Sequence, residues 1–161
     1  MKLLVKSCLL AALMYIPVGL YAQNDSIWLS CPLEEAMIIP PPKNMIHYEE
    51  PDMCIVLVSI PDTVVKACYN GKVTNVQQTE DGKWDVVFYY KDYYFWYSGL
   101  QKVTVRRNDN LKAGQPVGFL TPGTNMEMLM FNFETPIDPT RYLGCKKMTG
   151  TEKNDGASKA F

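Results

Sequence analysis

The stretch Trp84 to Leu100 reads WDVVFYYKDYYFWYSGL and packs aromatic side chains more densely than any other part of the chain. Aromatic and β-branched residues fit the half-buried, pleated surface of a sheet. Lys91-Asp92 interrupts them midway, so the stretch predicts a β-hairpin turning at those two residues. Similar short apolar runs lie on both sides: CIVLV, TVVKAC and KVTNVQQ before it, and KVTVRR, PVGFL and MEMLMFNFE after it. Between the runs stand turn signals, Tyr69-Asn70-Gly71, Glu80-Asp81-Gly82, Asn108-Asp109-Asn110 and Pro122-Gly123. No stretch of this region sustains helical periodicity. The pattern predicts an all-β fold, a small antiparallel β barrel or sandwich covering residues 54–143.

The flanks have a different character. The opening MKLLVKSCLLAALMYIPVGLYAQND has two lysines, an apolar run and small residues before a polar stretch. It reads as a signal peptide over residues 1–22, cleaved after Ala22, because the run is shorter than the roughly 20 residues a membrane span needs. The mature chain is then expected outside the cytoplasm, in a periplasm or the extracellular space, meeting a membrane only during export. Residues 23–53 include Pro40-Pro41-Pro42, and proline favours extended, unpaired backbone. They read as an extended N-terminal arm. Residues 144–161 read as a flexible tail with little to bury.

Charge narrows the partners. Taking Lys2 and Lys6 from the 16 basic residues against 17 acidic ones leaves a net charge of about −3. Nucleic acid is excluded as a partner, since phosphate neutralisation needs clustered Lys and Arg. Four cysteines follow the expected cleavage site, Cys31, Cys54, Cys68 and Cys145, and they allow three disulfide pairings among which sequence does not choose. Their spacing is not that of a zinc ribbon or finger.

The stretch Met130 to Leu143, MFNFETPIDPTRYL, begins with strand-like alternation. Met130, Asn132 and Glu134 are expected on one face, with Phe131 and Phe133 on the other. This stretch resembles the His-x-His-Phe-Glu strand and Val-Asp-Pro-x-x-Tyr-Leu ending of lysostaphin-like (LytM-type) zinc metalloendopeptidases. DTVVKACYNGKV (Asp62 to Val73) is similar to that family's opening strand pair. YYFWYSGLQKVTVRRNDNLKAGQPVGFL (Tyr93 to Leu120) is similar to its Tyr-Ala-His-Leu segment and Gly-Gln-x-Ile-Gly turn.

The resemblance implies a barrel-sandwich hybrid fold with a groove, in which the family binds zinc and cleaves cell-wall peptides. It also implies that this chain has lost the chemistry. Gly99 stands where the Tyr-Ala-His-Leu histidine would be, Met130 and Asn132 stand at His-x-His, and Val56 and Asp52 fall near the remaining ligands. A thioether and a neutral amide are poor zinc ligands. The chain's single histidine, His47, does not replace several imidazoles. A carboxylate cluster of Asp52, Glu127 and Glu134 has no spacing that demands metal.

The expectation is therefore an exported pseudoenzyme without a cofactor. Val56, Gly99, Met130 and Asn132 would mark its vestigial groove, and Tyr94, Trp96, Ser98, Asn132 and Glu134 are candidate binding residues. Its partner would be a peptidoglycan fragment or an envelope protein such as a wall hydrolase. Two alternatives belong to other classes. Cys68 or Cys54 would serve as nucleophile in an active hydrolase, or Lys91 would carry a biotinyl or lipoyl group, although no methionines flank it.

Overall fold

The computed structural model describes residues 27–39 and 53–145. Along them the chain forms β1 (Met37–Ile39), β2 (Ile55–Val58), β3 (Val64–Lys66), β4 (Gly71–Gln78), β5 (Trp84–Tyr90) and β6 (Tyr93–Leu100). It continues through β7 (Lys102–Val103), β8 (Asn110–Leu111), β9 (Pro116–Phe119), β10 (Asn125–Asn132) and β11 (Thr135–Ile137), then a 3-10 turn at Pro139–Arg141. The fold is all-β. A large antiparallel sheet runs β1-β2-β10-β6-β5-β4-β8, with β11 added to β10, and a smaller sheet runs β3-β9-β7. The large sheet stays open, so the architecture is a sandwich and not a closed barrel.

Strand alternation decides which side chains meet between the sheets. Met126, Met128 and Met130 of β10, Phe95 and Tyr97 of β6, and Val86 and Phe88 of β5 all point inward and are fully buried. Val65 and Val117 of the small sheet close the core from the other side. Phe88 contacts Phe95 at 5.0 Å and meets Tyr97 edge-on at 5.3 Å. Each such side chain contributes about 1.5–3 kcal/mol by burial. Tyr97 also ties the layers together. Its hydroxyl accepts from the Cys68 amide at 2.9 Å and donates to the Lys66 carbonyl at 3.3 Å.

The expected domain boundary before Cys54 does not hold. Ile27, Leu29, Leu33 and Ala36 are buried in the core, and β1 pairs with β2 from Met37↔Val58 to Ile39↔Val56. The Leu29 amide donates to the Tyr142 carbonyl at 2.9 Å, and the Gly144 amide donates to the Leu29 carbonyl at 3.0 Å. A disulfide joins Cys31 to Cys145 across 114 residues, fixing this segment to the end of the described chain. The prolines drew the sequence reading toward an arm, while the apolar residues between them form part of the core. Pro40-Pro41-Pro42, His47, Asp52, residues 1–22 and residues 146–161 lie outside the described residues.

Of the four cysteines considered for pairing, Cys54 and Cys68 take no part in a disulfide. Both are buried. Burial pushes the Cys68 thiol up to about 12, outweighing its hydrogen bond with Tyr97. A fully buried, protonated thiol is a poor nucleophile, which corrects the cysteine-hydrolase alternative at Cys68.

Candidate functional site

The face of the large sheet turned away from the core carries the site. In antiparallel sheets directly paired residues share a face, so the pairings trace rows of side chains across the strands. One row is Asn75↔Val87↔Trp96↔Leu129, from β4 to β10. The next is Tyr89↔Tyr94↔Phe131, in which Tyr89 and Tyr94 stack at 5.7 Å. A third row, Val56↔Glu127↔Ser98, crosses β2, β10 and β6.

The first two rows floor a cleft of about 570 Å³, lined by Asn75, Gln77, Val87, Tyr94, Trp96, Phe131, Phe133 and Glu134. Tyr94 and Trp96 are 38% and 36% exposed, and Phe133 is 66% exposed at its lip. Of the candidate binding residues, the structure brings Tyr94, Trp96 and Glu134 into this cleft. Ser98 and Asn132 are elsewhere. Ser98 donates from its hydroxyl to the buried Asp85 carboxylate at 2.7 Å. Here β6 bulges, with Trp84 opposite Leu100 but Val86 opposite Tyr97, so Ser98 and Gly99 oppose the single residue Asp85. The serine pins that bulge.

The positions inferred from the zinc strand separate into two groups. Met130 faces the core and is fully buried, which corrects its assignment to a groove. Asn132 follows it on the same side of β10, paired with Tyr93. The expected common face of Met130, Asn132 and Glu134 is broken because β10 ends at Asn132 and Phe133 turns with φ 53. That turn sends Phe133 and Glu134 to the outer face, where they join Phe131.

Val56 and Gly99 come together with a different part of β10. Val56 pairs with Glu127, and a Cβ placed on Gly99 would lie 3.1 Å from the Asn125 carbonyl oxygen. Asn132 stands five residues from Glu127, roughly 17 Å along an extended strand.

These residues do not fit a catalytic zinc. Such an ion takes about three nitrogen, sulfur or oxygen ligands from the protein. The third row offers one carboxylate, an aliphatic residue and a hydroxyl already bonded to Asp85, with Gly99 beside them. No group of three His, Cys, Asp or Glu residues suited to a metal occurs among the described residues. Lys91, the carrier alternative, sits at the hairpin tip with φ 53 and its ammonium 5.5 Å from the centre of the Tyr90 ring.

Sequence reasoning missed Asn75, Gln77, Val87, Phe131 and Phe133 as cleft residues. The first two were not accessible from alternation, which would place them with the buried Val73; the bulge between Val73 and Asn75 turns them to the outer face. Phe131 and Phe133 were expected on one face and are found together, but that face was taken to be opposite Glu134, which the turn at Phe133 brings to the same side.

Similarity to solved structures agrees with this geometry. Csd3 of Helicobacter pylori superposes with a TM-score of 0.61 at 15% identity, over 75% of this chain and 36% of that one. A catalytic-domain variant of the prophage-encoded M23 protein EnpA from Enterococcus faecalis gives 0.52 at 19% identity, covering 66% of this chain and 91% of that one. This chain has the lysostaphin-like peptidase fold. A chain of the SpoIIQ-SpoIIIAH pore-forming complex is also similar, with a TM-score of 0.53 at 14% identity over 73% of this chain and 92% of that one. No family model and no curated protein matches the sequence. Within the small sheet Gly118 of β9 lets β7 and the Leu100 side chain approach closely, since a Cβ there would lie 2.4 Å from the Lys102 carbonyl oxygen and 2.5 Å from Leu100 Cδ2. Among the described residues no helix is long and apolar enough to cross a membrane.

Proposed function

We propose that the mature chain is an exported, noncatalytic module of lysostaphin-like fold that binds an envelope protein or a peptidoglycan fragment through the outer face of its large sheet. The observation that carries this reading is the contrast on that face. A formed cleft is lined by aromatic and amide side chains, while the adjoining row of Val56, Glu127 and Ser98 lacks the imidazoles of a zinc hydrolase. With one histidine in the whole sequence, the chain has no means of supplying them.

Two further points support the reading. The N-terminal sequence has the form of a signal peptide, and the Cys31–Cys145 disulfide suits an oxidising compartment. The fold also occurs in a chain of a pore-forming protein complex, which favours a protein partner in envelope assembly.

The test uses purified mature protein in three measurements. Metal analysis is expected to find far less than one equivalent of zinc. Incubation with dye-labelled cell walls is expected to release no dye. A photo-crosslinker placed at Trp96 is expected to trap one defined envelope protein or wall fragment in cells, while the same group at Arg107 traps none. Chelator-sensitive dye release would overturn the noncatalytic assignment, and identical adducts from both positions would overturn the cleft as the binding face.

A further inference from the structure

The cleft has a chemical character that narrows its ligand. Its floor and lip are aromatic, with Tyr94, Trp96, Phe131 and Phe133 contributing rings. Aromatic faces carry the negative end of the ring quadrupole and attract cations, most strongly when water is partly excluded. Glu134 adds a carboxylate at one end. No lysine or arginine is among the lining residues. The site is thus built for positive charge held between rings.

Phe133 supports the same conclusion independently. A phenylalanine at φ 53 is in the left-handed region that bulky residues avoid. The chain nevertheless holds it there with most of its ring exposed. Its amide donates to the Asp92 carbonyl at 2.7 Å, so the neighbouring hairpin braces the strained turn. Strain retained to display an apolar ring at the lip of a cleft points to contact with a ligand.

We infer that this cleft receives a lysine or arginine side chain presented by an extended polypeptide. The inference rests on the proposed binding role of the outer face and specifies what binds there. A cation alone would leave most of the cleft empty. From β4 to β10 it spans three strand spacings, roughly 14 Å, the length of about four extended residues. The rings flanking the cation site accommodate apolar neighbours of the basic residue. Asn75 and Gln77, whose amides already bond to each other at 3.0 Å, can turn donors and acceptors toward a peptide backbone.

The experiment titrates the purified mature protein into fluorescein-labelled Ala-Leu-Arg-Leu-Ala and follows anisotropy. Two control peptides replace arginine by neutral citrulline or by glutamate. The arginine peptide is expected to bind saturably, and the controls about tenfold more weakly or worse. Glu134→Gln is expected to weaken the arginine peptide about fivefold and leave the citrulline peptide unchanged. Circular dichroism confirms that the variant is folded. Trp96→Leu provides a second test and is expected to weaken the arginine peptide more than the citrulline one.

Equal affinity for all three peptides overturns the charge assignment while leaving the cleft as a binding face. Binding of none overturns both. n-Butylammonium chloride displacing the arginine peptide with an inhibition constant as low as the peptide's own dissociation constant overturns the polypeptide in favour of a free amine.

Discussion

Gly99 shows at the scale of one residue why a single substitution is not expected to build a zinc site. It lies at φ 90, and a side chain there would press on the Asn125 carbonyl at 3.1 Å. Gly99→His is therefore expected to destabilise the protein by about 1–2 kcal/mol and to bind no zinc, read by urea unfolding and metal analysis. Unchanged stability with zinc bound would contradict this. Cys68 and Tyr97 set a pH limit of another kind. Burial raises the thiol from 9.0 to about 12 and raises the phenol well above its usual value. The protonated thiol is favoured by the folded state, so its contribution is complete below about pH 9 and is lost as pH rises toward 12. Between pH 9 and 10 the unfolding free energy is expected to fall by about 1 kcal/mol through this group. Cys68→Ala is expected to flatten that slope, and equal slopes in both proteins would show that the thiol is not the source.

Elements account for both the success and the limits of reading the sequence. β4, β5, β6, β9 and β10 were legible because each is long enough, or apolar enough, for its alternation to stand out. The turn at Lys91-Asp92 lies where the aromatic run breaks. β1, β8 and β11 were missed. Each has only two or three residues and is defined by its neighbour, as Met37–Ile39 is by β2. Of the residues lining the candidate cleft, Tyr94, Trp96 and Glu134 were legible, while Met130 was misread because its face is set by the buried row of Met126, Met128 and Met130. The N-terminal segment was misread for a related reason. Its prolines are local signals, while the burial of Leu29 and Leu33 depends on contacts with residues far along the chain. The Cys31–Cys145 disulfide is expected to matter because it closes so long a loop. Replacing both cysteines by serine should cost about 2–4 kcal/mol in chemical unfolding, and a change below about 0.5 kcal/mol would contradict that role.

For the whole molecule, stability is carried by the core between the two sheets. Apolar side chains from both sheets and from residues 27–36 fill it. Strong chelator is therefore expected to leave the melting temperature unchanged within about 2 °C, since nothing bound only to the folded state would be removed. Gly118→Ala is expected to lower stability by about 1–3 kcal/mol in urea unfolding, because β7 and the Leu100 side chain would have to move away from β9. The central claim is that the chain keeps the lysostaphin-like fold and its cleft but not the hydrolytic chemistry. Dye release from labelled cell walls, with excess zinc supplied and lysostaphin as the active control, tests it most directly. The account predicts release by the control and none by this protein above buffer. Zinc-dependent release by this protein, abolished by chelator, would contradict it.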